Sequence, residues 1–325
     1  MDLTWDIAGQ LAWTGIATSS YNVLFAVAFS LVLKVNRVWN FGQGAIMVFA
    51  YFSVYSALQF FEWPVPVALV FGAVVTIAVS LALERYSFRL LRDRDASVLT
   101  FFIFTIAFSQ FAIYWAELAF GADPKTLFDT IVYPVILVGP VVVSYWDLEA
   151  FGIAISLIAA LVVFLGTSKD GQFLLAVADN PELAQVYGVN LNRAYAISMT
   201  LAAILVVGGM YLVGTRAPIY PSSPMNQFLV LAVVATLLGG IGNIFAAGVA
   251  AVGLGLLQSF SILVISSTWQ ILLVYVLIFV TILLFPSGVR LTRNRRSISR
   301  ITAAEALTSV EKSLAEPGKG EGRAP

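Results

Sequence analysis

The stretch VLFAVAFSLVLKVNRVWNFGQGAIMVFAYF, residues 23–52, joins the end of one apolar segment, 17–33, to the start of a second, 41–61. A helix needs about 20 mostly apolar residues to cross the hydrocarbon core of a bilayer. Seven further apolar segments follow, at 64–83, 96–120, 151–166, 194–214, 228–240, 244–265 and 269–285. The sequence therefore predicts an all-α fold, a polytopic transmembrane helical bundle.

Composition agrees with that prediction. The 325 residues are 60% hydrophobic and only 11% charged, with a mean hydropathy of +0.91, whereas ordinary soluble domains carry about 25% charged residues. Segment 228–240 would be about 20 Å long as a helix, which is too short to span alone. It is either a half-helix or part of a neighbouring one, so we expect about eight to ten spans.

The placement of lysine and arginine predicts the orientation. If the N-terminus is outside, every basic residue except Lys125 and Arg216 falls on one side of the membrane. Basic residues near span ends favour the cytoplasmic side. We therefore expect an external N-terminus, a cytoplasmic C-terminus and a transmembrane domain over 1–290. Within it, 167–193 is a cytoplasmic loop.

Two regions outside the spans have distinctive sequences. Residues 121–149 contain β-branched runs around Gly139-Pro140, which favour a hairpin on the outer surface; a re-entrant element is the alternative. The tail 291–325 begins with basic residues, which anionic lipid attracts, and ends in EPGKGEGRAP, which favours disorder.

Several kinds of chemistry are missing. The chain contains no Cys and no His, so a thiolate metal site, a histidine metal ligand and a histidine base are excluded. It has no phosphate-binding G-x-x-x-x-G-K-[ST] motif. The one acidic residue clearly within an apolar segment, Glu117, lies near the outer end of its span and is expected at the membrane interface. An intramembrane enzyme is thus disfavoured, and no catalytic residue, metal or cofactor is predicted for this chain.

The polar segment ADNPELAQVYGVNLNR, 178–193, interrupts the apolar pattern. Asn180 suits the N-cap of a helix, Pro181 its first turn, and Gly188 the left-handed position after its end. These residues predict a two-turn helix over 181–187, after which Asn192 caps the next span. Its local pattern fits either an ordinary interfacial helix or a coupling helix that docks on a separate ATPase. The residues assigned to coupling are Asp179, Asn180, Pro181, Glu182, Ala184, Tyr187 and Gly188.

Two glycine-rich breaks, WNFGQG at 39–44 and LGGIGN at 238–243, lie in opposite halves of the chain. Glycine-interrupted spans in corresponding halves indicate a translocation site, because broken helix ends expose backbone groups. Surface turns with Asn as cap and Gly as hinge are the alternative. The residues assigned to the path are Asn40, Phe41, Gly42, Gln43, Gly44, Gly239, Gly240, Gly242 and Asn243. The stripe Ala247, Ala251, Gly255 is expected to pack against another helix of the same chain.

Four blocks resemble the permease subunits of branched-chain amino-acid ABC importers. They are the opening stretch, 176–214, 232–260 and LLFPSGV at 283–289, in family order over most of residues 20–290. Glu182, Ala184 and Gly188 are similar to the E-A-A-x-x-x-G loop of importer permeases, although Leu183 replaces the middle alanine. Gly42-Gln43 stands where the family usually has Ala-His, a departure that bears on the substrate.

The resemblance implies a bacterial-type inner-membrane protein that forms a path for branched-chain amino acids or similar small polar solutes such as urea or amides. It also implies a second permease subunit, two cytoplasmic ATPase subunits that use ATP and Mg, and an extracytoplasmic solute-binding protein. No nucleic-acid partner is expected. A self-contained secondary transporter or channel is the alternative function, and it would need no ATPase.

Overall fold

A computed structural model describes residues 2–128, 133–266 and 269–284. Its helices are α1 (Asp2–Asn36), α2 (Gln43–Gln59), α3 (Val65–Leu83), α4 (Arg89–Asp93), α5 (Val98–Phe120), α6 (Tyr145–Thr167), α7 (Lys169–Asp179), α8 (Pro181–Val186), α9 (Leu191–Gly214), α10 (Val230–Gly239), α11 (Ile244–Ser261) and α12 (Gln270–Leu284). Two π-helical turns, Glu84–Phe88 and Pro224–Leu229, adjoin α3 and α10.

All nine predicted apolar segments are helical, and the predicted helical transmembrane bundle is confirmed. Six helices are long and apolar enough to cross a membrane, namely Asp6–Asn36, Val65–Asp93, Val98–Phe120, Tyr145–Thr167, Leu191–Gly214 and Ile244–Ser261. The other three, α2, Pro224–Gly239 and α12, are shorter. At 1.5 Å per residue they fall below the length of about 20 residues that a perpendicular crossing needs. The external N-terminus and cytoplasmic C-terminus remain predictions.

Helix α1 is the centre of the bundle and packs against α6, α7, α9, α10 and α11. In its most apolar window 78% of the residues are buried, against 22% for α3 and α6. The outer helices therefore present their apolar side chains to lipid, whereas α1 presents its side chains to other helices. This explains why α1 carries buried polar residues, including Ser19, Asn22 and Ser30, which lipid would not solvate.

Small residues set the crossing of α1 and α11. Ala247 and Ala251 are fully buried, and a Cβ built on Gly255 would lie 2.1 Å from Ser19 Oγ and 2.9 Å from the carbonyl oxygen of Gly15. The expectation that this stripe packs within the chain is confirmed. The close approach lets α11 contact α1 over most of its length, as small residues do between membrane helices.

Replacing Gly255 with valine should therefore push α11 away from α1. We expect a loss of about 1–3 kcal/mol of stability, the usual cost of overpacking a core. Gly253→Val, on the same helix, is the matched control because a Cβ there meets nothing within 4 Å. Thermal denaturation of the two variants in detergent measures the difference, and equal melting temperatures would contradict this packing.

The predicted hairpin packs near the N-terminal end of α1. Strands β1 (Val135–Val138) and β2 (Val141–Ser144) pair antiparallel around Gly139, whose φ is +62°. The Val142 backbone N–H donates to Gln10 Oε1 at 2.7 Å, which ties the hairpin to α1. The hairpin itself is present, while its place on the outer surface, as opposed to a re-entrant position, stays a prediction. Residues 129–132 of the predicted loop lie outside the described residues. The predicted tail 291–325 lies wholly outside them.

Candidate functional site

Helix α8 has the ends that the sequence predicts. The side-chain oxygen of Asn180 accepts from the Leu183 N–H at 3.0 Å, and Pro181 opens the first turn. At the other end the Gly188 N–H donates to the Gln185 carbonyl and the Val189 N–H to the Ala184 carbonyl, with Gly188 at φ +82°. These two bonds form the glycine-terminated helix end called a Schellman motif. The six-residue helix is thus fixed at both ends.

One expected cap is wrong. Helix α9 begins at Leu191, two residues earlier than predicted, and Asn190 caps it by accepting from the Arg193 N–H at 3.2 Å. Asn192 lies inside the first turn and is exposed. Because Gly188 already turns the chain, only Val189 separates Gly188 from Asn190, the cap of α9. The segment is therefore more compact than the sequence predicts.

The coupling residues are anchored to the C-terminal end of α1. Lys34 Nζ lies 3.4 Å from a carboxylate oxygen of Asp179, and the Arg37 guanidinium donates to the Asp179 carbonyl at 3.3 Å. Ala184 is 5% exposed and packs into the main core. The Asp179 side chain is largely exposed, so the ion pair adds little stability by itself. The buried alanine and the capped ends hold α8 against the bundle.

The outward side of α8 is apolar and exposed. Leu183, Val186 and Tyr187 are 53%, 82% and 81% exposed, and Glu182 is also exposed. These side chains belong to the polar loop between α7 and α9, at the basic end of the bundle. Contact with lipid therefore does not explain why apolar side chains are exposed there. Apolar groups concentrated on a polar surface indicate a protein interaction site.

A groove of about 530 Å³ lies beside α8. It is lined by Gln185 and Gly188 from the end of α8, by Tyr195 from α9 and by Arg92 and Asp93 from α4. The surface therefore has two parts: α8, whose exposed side chains project outward, and the groove beside it, which can accommodate side chains of a partner protein. The sequence alone does not bring α4, some 90 residues earlier in the chain, to this place.

A buried polar network, which the sequence does not predict, forms the back of this groove. The Arg92 guanidinium pairs with the carboxylate of Glu84, which is 4% exposed, and lies 4.3 Å from the centre of the Tyr195 ring. Asn36 Nδ2 donates to Glu84 at 3.2 Å, and Ser198 Oγ donates to Asn36 Oδ1 at 2.7 Å. The network connects the C-terminal end of α1, the π-helical turn after α3 and the first turns of α9.

The first glycine break is buried in the bundle. Asn40 and Gln43 are each 1% exposed, and Gly42 and Gly44 are buried with them. Ser109 of α5 closes the broken backbone, since its hydroxyl donates to the Phe41 carbonyl at 2.7 Å and accepts from the Ala45 N–H at 3.1 Å. Within the described residues, Asn40 Oδ1 and Gln43 Oε1 have no hydrogen-bond partner.

The second break is the turn between α10 and α11. Gly240 and Gly242 have φ values of +89° and +105°, and a Cβ on Gly239 would lie 2.4 Å from the backbone nitrogen of Ala247. The side chain of Asn243 is exposed and caps α11 by accepting from Ala246 at 3.1 Å. This geometry is that of a turn with a cap and hinge glycines. The two breaks differ: 40–44 packs against α5 and residues 225 and 229, whereas 238–243 joins two antiparallel helices.

Comparison with known proteins assigns the chain to a family. The family model described as "Branched-chain amino acid transport system / permease component" matches residues 11–283. The chain belongs to this permease family. Of the three functions considered from the sequence, membership in this family supports the importer subunit. It does not support a self-contained transporter or channel, or an intramembrane enzyme. The chain is a permease subunit of an ABC importer and an integral protein of the inner membrane.

Individual permeases are similar along nearly their whole length. The high-affinity branched-chain amino acid transport system permease protein BraD of Pseudomonas aeruginosa is 23% identical, over 85% of this chain and 93% of BraD. The corresponding Escherichia coli K12 protein, LivH, is 24% identical over 86% and 94%. A probable LivH of Methanocaldococcus jannaschii is 25% identical over 84% and 90%. Among solved structures, PsaBC from Streptococcus pneumoniae in complex with Fab has a TM-score of 0.49 at 11% identity, covering 84% of this permease and 91% of that chain.

Proposed function

We propose that α8 and the groove beside it dock a separate ATPase subunit, whose closure on ATP drives transport through this permease. The observation that carries the proposal is the exposed apolar side of a helix that is rigidly capped and anchored to α1. Leu183, Val186 and Tyr187 supply the apolar contact. ATP and Mg are used by the ATPase, and this chain contributes neither catalytic residue nor metal ligand.

The buried network offers a route by which docking changes the bundle. Arg92 and Tyr195 line the groove and also belong to the network that reaches Glu84 and Asn36. A displacement of α8 or of the groove therefore acts on the ends of α1, α3 and α9 together. Packed, hydrogen-bonded elements of this kind move as units, because a buried polar network tolerates few arrangements.

The complete importer is proposed to contain a second permease subunit, two ATPase subunits and a solute-binding protein outside the membrane. The names of the relatives support branched-chain amino acids as the transported class, and chemically similar small polar solutes remain within the proposal. The breaks at 40–44 and 238–243 are proposed to belong to the translocation path. The buried amides of Asn40 and Gln43 are the groups there that could hydrogen-bond a passing solute.

Cysteine crosslinking tests the docking surface, because the natural chain contains no cysteine. Glu182→Cys and Tyr187→Cys should each crosslink to the ATPase in isolated membranes, since both positions lie on the exposed side of α8. Val249→Cys, which is also exposed but lies on α11, is the control and should give no such product. Crosslinks from Val249→Cys alone, or none from α8, would contradict docking at this helix.

A further inference from the structure

A second cavity lies away from α8, between α1, the π-helical turn Pro224–Leu229 and helices α10, α11 and α12. Its volume is about 270 Å³, below the range of about 300–1,000 Å³ that is usual for drug-sized ligands. Helix α9 runs from the α8 loop to the opposite end of the bundle, where the π-helical turn follows after residues 215–223. The cavity therefore opens on the side of the bundle farther from the docking surface.

Four carboxamides line this cavity: Asn22 from α1, Asn226 and Gln227 from the π-helical turn, and Gln258 from α11. Asn226 and Gln227 are exposed at the mouth, whereas Asn22 is 2% exposed. The π-helical turn presents 226 and 227 to the same space, and such turns recur at functional sites. A carboxamide carries both a donor and an acceptor.

The Asn22 side chain has unused hydrogen-bonding capacity. Its Oδ1 is buried and has no partner among the described residues. A buried polar group left unpaired is costly, and each such group in a native protein calls for an explanation. Asn22 lies in the wall of the cavity, so a rotation of its side chain that turns Oδ1 toward the cavity would let the N–H group of a bound solute complete this hydrogen bond.

The rest of the lining restricts the solute further. Among the described residues, no Asp, Glu, Lys or Arg lines the cavity, so a solute of net charge would be enclosed there without a counter-charge in the lining, which is unfavourable. Phe228, Leu231 and Val274 supply apolar wall. The lining therefore suits a small molecule of zero net charge in which an aliphatic part adjoins N–H and C=O groups.

The cavity is connected by contacts to the first glycine break. The rings of Tyr21 and Phe228, which line it, lie 6.2 Å and 5.6 Å from the ring of Phe25. Gln43 Nε2 donates to the Phe25 carbonyl at 3.5 Å. Phe25 thus contacts the wall of the cavity through its ring and the buried amide of Gln43 through its backbone carbonyl.

We propose that this cavity is a solute-binding site of the permease, selective for small aliphatic solutes of zero net charge, with Asn22 as its principal hydrogen-bonding residue. The inference rests on the proposed function only in that the bound solute is the one transported. Isoleucine and acetamide represent the two sources of this chemistry, a zwitterion and a neutral amide.

The test uses Asn226→Cys in the full chain, in isolated membranes, and the rate at which a small methanethiosulfonate reagent modifies it. Isoleucine or acetamide should slow the reaction, and lysine and glutamate should not. Asn22→Leu should weaken the protection about tenfold in solute concentration, the factor expected for one hydrogen bond to a buried group. Ser30→Ala is the matched control, since Ser30 is another buried, unpartnered residue of α1 that does not line the cavity.

Protection by only one of the two solutes identifies the preferred source and supports the site. Three results with Asn226→Cys would overturn the proposal: no modification, no protection by any solute, or equal protection by all four solutes. It would also be overturned if Ser30→Ala weakened the protection as much as Asn22→Leu does. If Asn22→Leu changes the modification rate without solute, Asn22→Gln, which keeps the amide, must restore protection. The measurement needs neither ATP nor an ATPase, so a failure of the coupling proposal leaves its result unchanged.

Discussion

Gly188→Val is expected to abolish ATP-driven uptake while leaving the permease in the membrane. Gly188 has a φ of +82°, a conformation that costs a side-chain-bearing residue about 1–2 kcal/mol and a β-branched one more. Two backbone hydrogen bonds end α8 at this position, and so short a helix is only marginally stable by itself. We therefore expect α8 to lose its ordered end and its docked geometry.

The control for this prediction is Gly188→Asn, because asparagine adopts positive φ more readily than other residues. A Cβ at this position meets nothing within 4 Å, so any loss comes from the backbone and not from a clash. The asparagine variant should retain most uptake in membrane vesicles that contain the whole importer. Wild-type uptake in the valine variant would count against the role of α8.

Glu84→Gln should destabilise the permease by roughly 2–4 kcal/mol, since it leaves the partly buried Arg92 without its counter-charge. The Glu84 and Arg92 side chains are 6% and 22% exposed. Asp93→Asn is the matched control, because it breaks the exposed Arg89–Asp93 pair one turn away, and it should cost less than about 1 kcal/mol. Unfolding of the purified permease in mixed micelles measures both.

A double replacement separates the charge effect from packing. Glu84→Met combined with Arg92→Met removes both charges and keeps apolar volume, which is often neutral for a buried pair. The double variant should recover much of the stability that Glu84→Gln loses. If Glu84→Gln is as stable as Asp93→Asn, the network does not hold the ends of α1, α3 and α9 together.

The sequence predicts the helices of this permease well because membrane helices are specified by local properties. Each apolar segment satisfies its own backbone and needs no distant partner to be recognised. The ends of α8 are predictable for the same reason: Asn180, Pro181 and Gly188 act within a few residues of themselves. The cap of α9 is placed two residues late because Asn190 and Asn192 are chemically equivalent, and only the chain path after Gly188 chooses between them.

The polar interior could not be predicted in the same way. Glu84 follows directly after an apolar segment and has the sequence context of a residue at the membrane surface. It is buried because α1 and α9 pack against it and because Arg92, eight residues later on the same continuous helix, pairs with it. Likewise Asn22 and Gln258 are 236 positions apart, so their shared cavity exists only after packing.

The most direct test of the account is solute uptake into liposomes with and without the ATPase. With the complete importer, binding protein and ATP, we expect isoleucine to accumulate inside, and omission of ATP or of the ATPase should stop accumulation. The permease alone, in pure lipid, should not concentrate solute under any ion gradient. Accumulation driven by the lone chain would contradict the proposal that its energy comes from a separate subunit through α8.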